Sequence, residues 1–300
     1  MNTKVEQTAQ EEFSNLPRQE SQVKEIWNRF RRNRPAMISL VVLVVIILLA
    51  VFANQIADYE GMALYQDMTV ALKPPSAEHW FGTDKFGRDI FARVIHGARI
   101  SLLIGVLVTA IALVIGTLLG ASAGYFGGWL DSVIMRGVDI IMCIPPVLFS
   151  IAIVTALGTN VRNLVLALVL SYSPIFTRVI RSALLSVVGM EYVEAARASG
   201  SGHFHIIFRH VLPNAIGPII VQGTMSMGSV ILNAASMSFL GMGVKAPTPE
   251  WGVMISEASE LMRAYPHLVI FPGLALVITV LAVNLVGDGL RDALDPRLKD

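Results

Sequence analysis

At 300 residues, 54% of them hydrophobic and only 15% charged, the chain is too apolar for a soluble globular domain of ordinary composition and belongs in a bilayer. Its formal net charge is +1, and no basic block is long enough to track a phosphate backbone, so nucleic acid is excluded as a partner. The single cysteine, Cys143, cannot form an internal disulfide and reads as a small buried side chain within an apolar run.

Residues 1–22 are polar and aperiodic, as a loosely held tail would be. Val23, Ile26, Trp27 and Phe30 then recur at helical spacing opposite Lys24, Arg29, Arg31 and Arg32, which predicts an amphipathic helix lying along a membrane face. The first apolar run begins near Ala36 and is long enough to span, so it does not read as a secretory signal. Further runs of about 20 apolar residues follow, giving six predicted spans at 36–55, 100–123, 131–157, 163–183, 214–239 and 267–287. Lys24, Arg29, Arg31, Arg32 and Arg34 crowd the entrance to the first, which places the N-terminus in the cytoplasm, and an even number of crossings returns the C-terminus there.

Two segments then face outside. In the first, Ile90, Phe91, Val94 and Ile95 suggest a short surface helix before span two; in the second, Trp251, Met254, Ile255, Ala258 and Met262 repeat at helical spacing. Glu250, Trp251 and Gly252 are the candidate docking residues of that outer face. Span two carries Gly116, Gly120 and Gly124 four apart, a face that lets another helix approach closely. Pro145 and Pro146 interrupt span three and Pro174 interrupts span four, which makes those bends candidates for a pathway wall. Asn233 and Asn284 are polar groups at depth, suited to interhelical hydrogen bonds or to solute. Asp131, Arg136 and Asp139 are expected to neutralise one another across a turn of span three.

The longest polar stretch between the later spans is 191–213, with Glu191, Glu194 and Arg197 every three residues and a Gly200-Ser201-Gly202 break. It predicts a first short helix ending at Gly200 and a second from about His203 to Leu212, with Pro213 opening the next apolar run. The small pair Ala195 and Ala196 would let another protein's backbone come close. Histidines 203, 205 and 210 cluster there, but residues two apart point away from one another on a helix and no cysteine joins them, so no metal site is expected. No phosphate-cradling loop ending in Gly-Lys-Ser/Thr occurs, and no nucleophile has a recognisable base beside it, so the chain is read as neither ATPase nor other enzyme.

Glu194-Ala195-Ala196, Gly200 and Leu212-Pro213 resemble the EAA loop of permease subunits in binding-protein-dependent ABC importers, with His210 standing where the pattern has isoleucine. Phe81-Gly82-Thr83-Asp84 with Gly87-Arg88-Asp89, Gly124-Tyr125-Phe126-Gly127-Gly128, Pro247 to Gly252 and Gly287 to Asp292 are similar to the C-type permease of the dipeptide, oligopeptide and nickel branch. The resemblance implies an all-α membrane protein of the type I ABC importer (MetI-like) permease fold, in a bacterial or archaeal cell membrane, with a cytoplasmic coupling loop. It implies a cytoplasmic tail with an amphipathic helix over 1–35, a first transmembrane helix over 36–56, an extracytoplasmic segment over 57–97, a five-helix ABC transmembrane type-1 domain over 98–289 and a cytoplasmic tail over 290–300. The coupling residues would be Glu194, Ala195, Ala196, Gly200, His203, Leu212 and Pro213. The implied partners are a second permease, two ATPases that hold the ATP and Mg, and an external solute-binding protein; this chain itself would bind no cofactor. Implied solutes are di- or oligopeptides, with nickel chelates or glutathione as alternatives. A stand-alone secondary transporter would need mid-membrane ionisable groups or an inverted repeat, and neither is visible.

Overall fold

The computed structural model describes residues 22–294, which are almost wholly helical. The tails expected at 1–21 and 295–300 lie outside the described residues. Helix α1 (Gln22–Arg32) meets α2 (Arg34–Val51) at Asn33, whose side-chain oxygen accepts a bond from the Ala36 amide, while Pro35 sits in the first turn where a missing N–H is harmless. The remaining principal helices are α3 (Ile90–Phe126), α4 (Gly128–Met142), α5 (Pro146–Leu157), α6 (Val161–Val188), α7 (Glu191–Ala198), α8 (His203–Ile206), α9 (Ile216–Phe239), α10 (Trp251–Ala258) and α11 (His267–Leu294).

The contacts of α3 and α6 fix the direction of the whole bundle. Gly116 lies against Phe176, Gly120 against Thr177 and Ile180, and Gly124 against Arg181 and Leu184, so the two helices run parallel with their backbones nearly touching. A parallel pair needs an antiparallel return between them, and α4 and α5 supply it although their axes are bent by 87°. Along that return Asp131 meets Arg181, Asp139 meets Arg178, the Ser150 hydroxyl lies 2.8 Å from that of Ser171, and Asn163 donates to the Leu157 and Gly158 carbonyls. The partners descend α6 from 181 to 163 as the return climbs from 131 to 158. The elbow therefore crosses the bundle and does not re-enter. Six traverses result, five of them continuous helical segments.

On the other side, α9 runs antiparallel to α11, with Gly228 under Asn284 and Gly287 against Thr224 and Met225. α2 runs antiparallel to α11, with Ala36 against Gly289 and the Asn33 amide donating to Asp292. Residues 22–33, the α6–α9 connection and the end of α11 thus share one face, and segments 52–89 and 240–266 share the far face. Much of the remaining apolar surface, including Val41, Val45 and Leu48 of α2, points outward, as it must where the solvent is hydrocarbon.

Several expectations are corrected. The surface helix predicted at 90–95 is the first part of α3, whose 37 residues extend about 55 Å. Nothing breaks it, because Arg93, His96 and Arg99 find partners in the protein: Arg93 donates to Glu257, His96 lies 2.9 Å from the Ala57 carbonyl, and Arg99 donates to the Ala50 and Val51 carbonyls that end α2. Pro174 does not interrupt α6; the helix continues through it while the hydroxyls of Ser171, Ser173 and Thr177 bond neighbouring carbonyls. Pro213 likewise opens no new run. A π-turn (Ile207–Val211) and a 3-10 turn (Leu212–Ala215) carry α8 into α9 and absorb the missing amide. Cys143 is exposed at the elbow, not buried. Asp131 and Asp139 pair with α6, not with Arg136. The tail placed at 290–300 is helical as far as Leu294.

Candidate functional site

The element between α6 and α9 is a helix-turn-helix held from beneath. α7 ends where the Ser201 amide donates to the Ala196 carbonyl and the Gly200 amide to that of Arg197, the paired bonds of a glycine-terminated helix. Gly200 adopts φ +78°, a left-handed conformation that a side chain resists, yet a Cβ there would touch nothing within 4 Å. The conformation, not crowding, selects glycine. Val193, Ile206, Ile207 and Val211 form the apolar underside and join the main core alongside Tyr125, Leu184 and Val187.

The upper surface is open. Glu194, Ala195, Gly200 and His203 are exposed, Ala196 and Leu212 half-buried, and Pro213 exposed on the 3-10 turn. Phe204, 77% exposed, and Phe208, 60% exposed, stand one helical turn apart beside them. Two bare aromatic rings on a polar element were not singled out from sequence, although their spacing of four was the available signal. The His205 and His210 rings lie 5.6 Å apart, and among the described residues no group of three or more His, Cys, Asp or Glu could hold a metal ion.

Beneath the turn, the Tyr125 hydroxyl lies 3.0 Å from His203 Nδ1, and the Arg197 guanidinium sits 5.1 Å above the Tyr125 ring centroid. Tyr125 closes α3 within the Gly124-Tyr125-Phe126-Gly127-Gly128 run, and Gly127 and Gly128, both at positive φ, turn the chain sharply into α4.

The other sequence-derived candidates are dispersed. Pro145 is exposed at the elbow, Pro146 half-buried, and Pro174 buried inside the subunit, which removes Pro174 from any outer wall. Asn233 donates to the Tyr172 hydroxyl, joining α9 to α6, and Asn284 covers Gly228. The glycines at 116, 120 and 124 all face α6.

Glu250, Trp251 and Gly252 are corrected most sharply, since none is a surface group. Glu250 and Trp251 are each 1% exposed, and a Cβ on Gly252 would lie 2.1 Å from the Ala235 carbonyl oxygen. The Trp251 indole donates to the Val94 carbonyl at 3.0 Å. Glu250 caps α10 through the Val253 amide at 3.0 Å and accepts from the Ser101 hydroxyl at 3.1 Å; burial pushes its pKa up. Nearby, Arg88 and Arg93, each 1% exposed, converge on Asp84 and Glu257. Two cations and two carboxylates thereby neutralise one another and clamp segment 82–93 to α10.

Comparison with known proteins adds to this geometry. Residues 116–300 match the family described as binding-protein-dependent transport system inner membrane component, and residues 21–75 match the N-terminal TM domain of oligopeptide transport permease C. The chain is 44% identical over 278 residues to the dipeptide transport system permease protein DppC of Alkalihalophilus pseudofirmus, covering 92% of this chain and 90% of that one. It is 46% identical over 275 residues, with the same coverage, to the glutathione transport system permease protein GsiD of Escherichia coli. Among solved structures, an inward-facing MetNI methionine ABC transporter superposes with a TM-score of 0.55 at 18% identity, covering 68% of this chain and 96% of the other. An amino acid ABC transporter with histidines gives a TM-score of 0.53 at 17% identity, over 67% and 94%. At those identities the likeness is one of fold.

Proposed function

Because this chain belongs to the family of binding-protein-dependent transport system inner membrane components, and is therefore an ABC importer permease, we propose that it carries short peptides across the cell membrane along an interface with a second permease. The observation that carries the solute class is the pair of relatives bearing dipeptide and glutathione transport names, each aligned over nine-tenths of both chains. Glutathione is itself a tripeptide. The chemistry common to both is a small amide-linked solute with free carboxylate and amine, and the glutathione relative is what favours the second reading.

Energy enters from outside the chain. The helix-turn-helix of α7 and α8 lies at the loop face, assigned to the cytoplasm by the basic residues of α1 and by Arg178, Arg181 and Arg209, and serves as a lever seated in a groove of a partner ATPase. Glu194, Ala195 and Ala196 allow close approach, Gly200 holds the turn, and Phe204 and Phe208 supply apolar grip. Nucleotide-driven closure of two ATPases, which hold the ATP and Mg, tilts the bundle through that lever; this subunit does no chemistry. A groove of about 650 Å³ opens on the same face, its wall mostly apolar, with Asn214, Gln222 and Arg291 as its polar groups. A solute-binding protein delivers the peptide at the far face.

The test is uptake into proteoliposomes that hold the full complex of both permeases, the ATPases and the binding protein. ATP-dependent accumulation of a labelled dipeptide, or of labelled glutathione, is expected. A tagged chain that retains no ATPase in mild detergent and shows no ATP-dependent uptake of either solute overturns the proposal.

A further inference from the structure

We propose that Tyr125 is a positioning residue that locks both arms of the coupling element to α3, so that the lever and this helix move as one body. The inference rests on the coupling role given above and names the residue through which that role is exercised. A Cβ at position 200 or 202 would meet nothing within 4 Å, so the Gly200-Ser201-Gly202 turn projects into open space and its two arms are held from beneath, by the apolar underside and by a polar group that touches both. Arg197, above the Tyr125 ring at 5.1 Å, belongs to α7 before the turn; His203, 3.0 Å from the Tyr125 hydroxyl, belongs to α8 after it. One side chain therefore bridges the hinge, and the Phe126 ring, 5.7 Å from that of His203, flanks the contact.

The base of this bridge is firm. Tyr125 is only 7% exposed and packs within the main core, and the adjacent Gly124 brings α3 against the backbone of α6 at Arg181. Two contacts of different chemistry, a ring face for the cation and a hydroxyl for the imidazole, also fix rotation, which one contact alone would leave free. From Tyr125 the same uninterrupted helix reaches Arg93 on the far face, 32 residues or about 48 Å away. Arg93 is there tied to Glu257 of α10 at 2.9 Å. Displacement of the lever is accordingly passed along one rod to the segment that faces the solute's side of entry.

The experiment measures solute transported per ATP hydrolysed by the reconstituted complex, comparing Tyr125→Phe, Tyr125→Ala, His203→Ala and Arg197→Ala. Tyr125→Ala is expected to lower the ratio about fivefold or more, with ATP hydrolysis continuing. Tyr125→Phe removes the hydroxyl contact and His203→Ala removes it together with the imidazole's ring contacts, so each should lower the ratio less than Tyr125→Ala and the double variant no further than His203→Ala alone. Arg197→Ala combined with His203→Ala should approach Tyr125→Ala. His203 and Arg197 are exposed, so these variants report even if Tyr125→Ala fails to assemble. Wild-type ratios in His203→Ala, Arg197→Ala and their double variant overturn the proposal, whereas absence of ATP-dependent uptake in the wild-type complex overturns the coupling role itself.

Discussion

Asp131 on α4 and Arg181 on α6 meet through two hydrogen bonds, from Nε at 2.5 Å and from a terminal nitrogen at 2.6 Å, and this forked contact fastens the first half of the elbow to the helix it must oppose. Both side chains retain some exposure, so the pair contributes only on the order of 1 kcal/mol. Asp131→Ala should therefore lower the melting temperature of the detergent-solubilised chain by about 2–4 °C. Exchanging the two residues, Asp131→Arg with Arg181→Asp, should restore part of the loss. Melting that falls by the sum of the single effects would show that the contact is incidental.

The glycine face of α3 makes a stronger demand. A Cβ at Gly120 would stand 2.6 Å from the Thr177 carbonyl oxygen and 3.1 Å from the Arg181 amide nitrogen, so backbone rather than a yielding side chain blocks it. Gly120→Leu must separate two helices that are packed along much of their length, at a cost above the about 1–3 kcal/mol of ordinary overpacking. The monodisperse fraction after purification is expected to collapse. Gly137→Ala is the control, because nothing lies within 4 Å of a Cβ at that helical position, and it should be neutral or gain about 0.5–1 kcal/mol. Equal yields for the two variants would contradict the close α3–α6 contact.

The contrast between these two glycines shows what the sequence could reveal. Glycines spaced by four announce a close helix approach, but not which helix approaches or in which direction. Hydropathy likewise located all six traverses, because burial in hydrocarbon requires long apolar runs regardless of tertiary detail. Pro145 and Pro146 marked the place of the interruption in span three, but hydropathy could not register its 87° size, since a bent run has the same composition as a straight one. The start of α3 was misread because Arg93 is charged, and the partners that make its burial tolerable include Glu257, 164 positions later. Glu250, Trp251 and Gly252 were misread for a related reason. A half-apolar helix can cover its own protein or greet another, and periodicity is identical in both cases. The helix-turn-helix of 191–213 was the most legible part, because glycine and helix-forming residues encode its shape locally; its attachment through Tyr125 was not, being a contact across 78 residues of chain.

Gly200 offers a test of that local encoding. At φ +78° any residue with a Cβ is strained by roughly 1–2 kcal/mol, and a β-branched one more, whereas Gly202 at φ −67° accepts a side chain readily. Gly200→Val should uncouple ATP hydrolysis from uptake while insertion into the membrane proceeds, and Gly202→Ala should behave as the wild type. Reversal of charge in Glu194→Lys, an exposed position, is expected to uncouple without altering melting. Solute-stimulated ATPase activity in proteoliposomes reads all three. Unchanged coupling in Gly200→Val and Glu194→Lys counts against the lever.

Glu250 supplies the pH-dependent prediction. Burial raises its pKa above the ordinary 4.5, against the opposing pull of backbone and hydroxyl donors at Gly252, Val253 and Ser101. The protonated form is thus favoured more in the folded protein than in the unfolded one. The associated stabilisation is fully present below about 4.5 and is lost as pH rises through the raised folded value, because ionisation then places a charge in a site that is 1% exposed. Glu250→Gln keeps an acceptor for the Val253 amide and removes the charge. Its melting temperature should match that of the wild type at acidic pH and exceed it increasingly as pH rises. Curves that stay parallel from acid to alkaline conditions would mean that the carboxylate is ionised and satisfied where it lies, by the α10 amides and Ser101 alone.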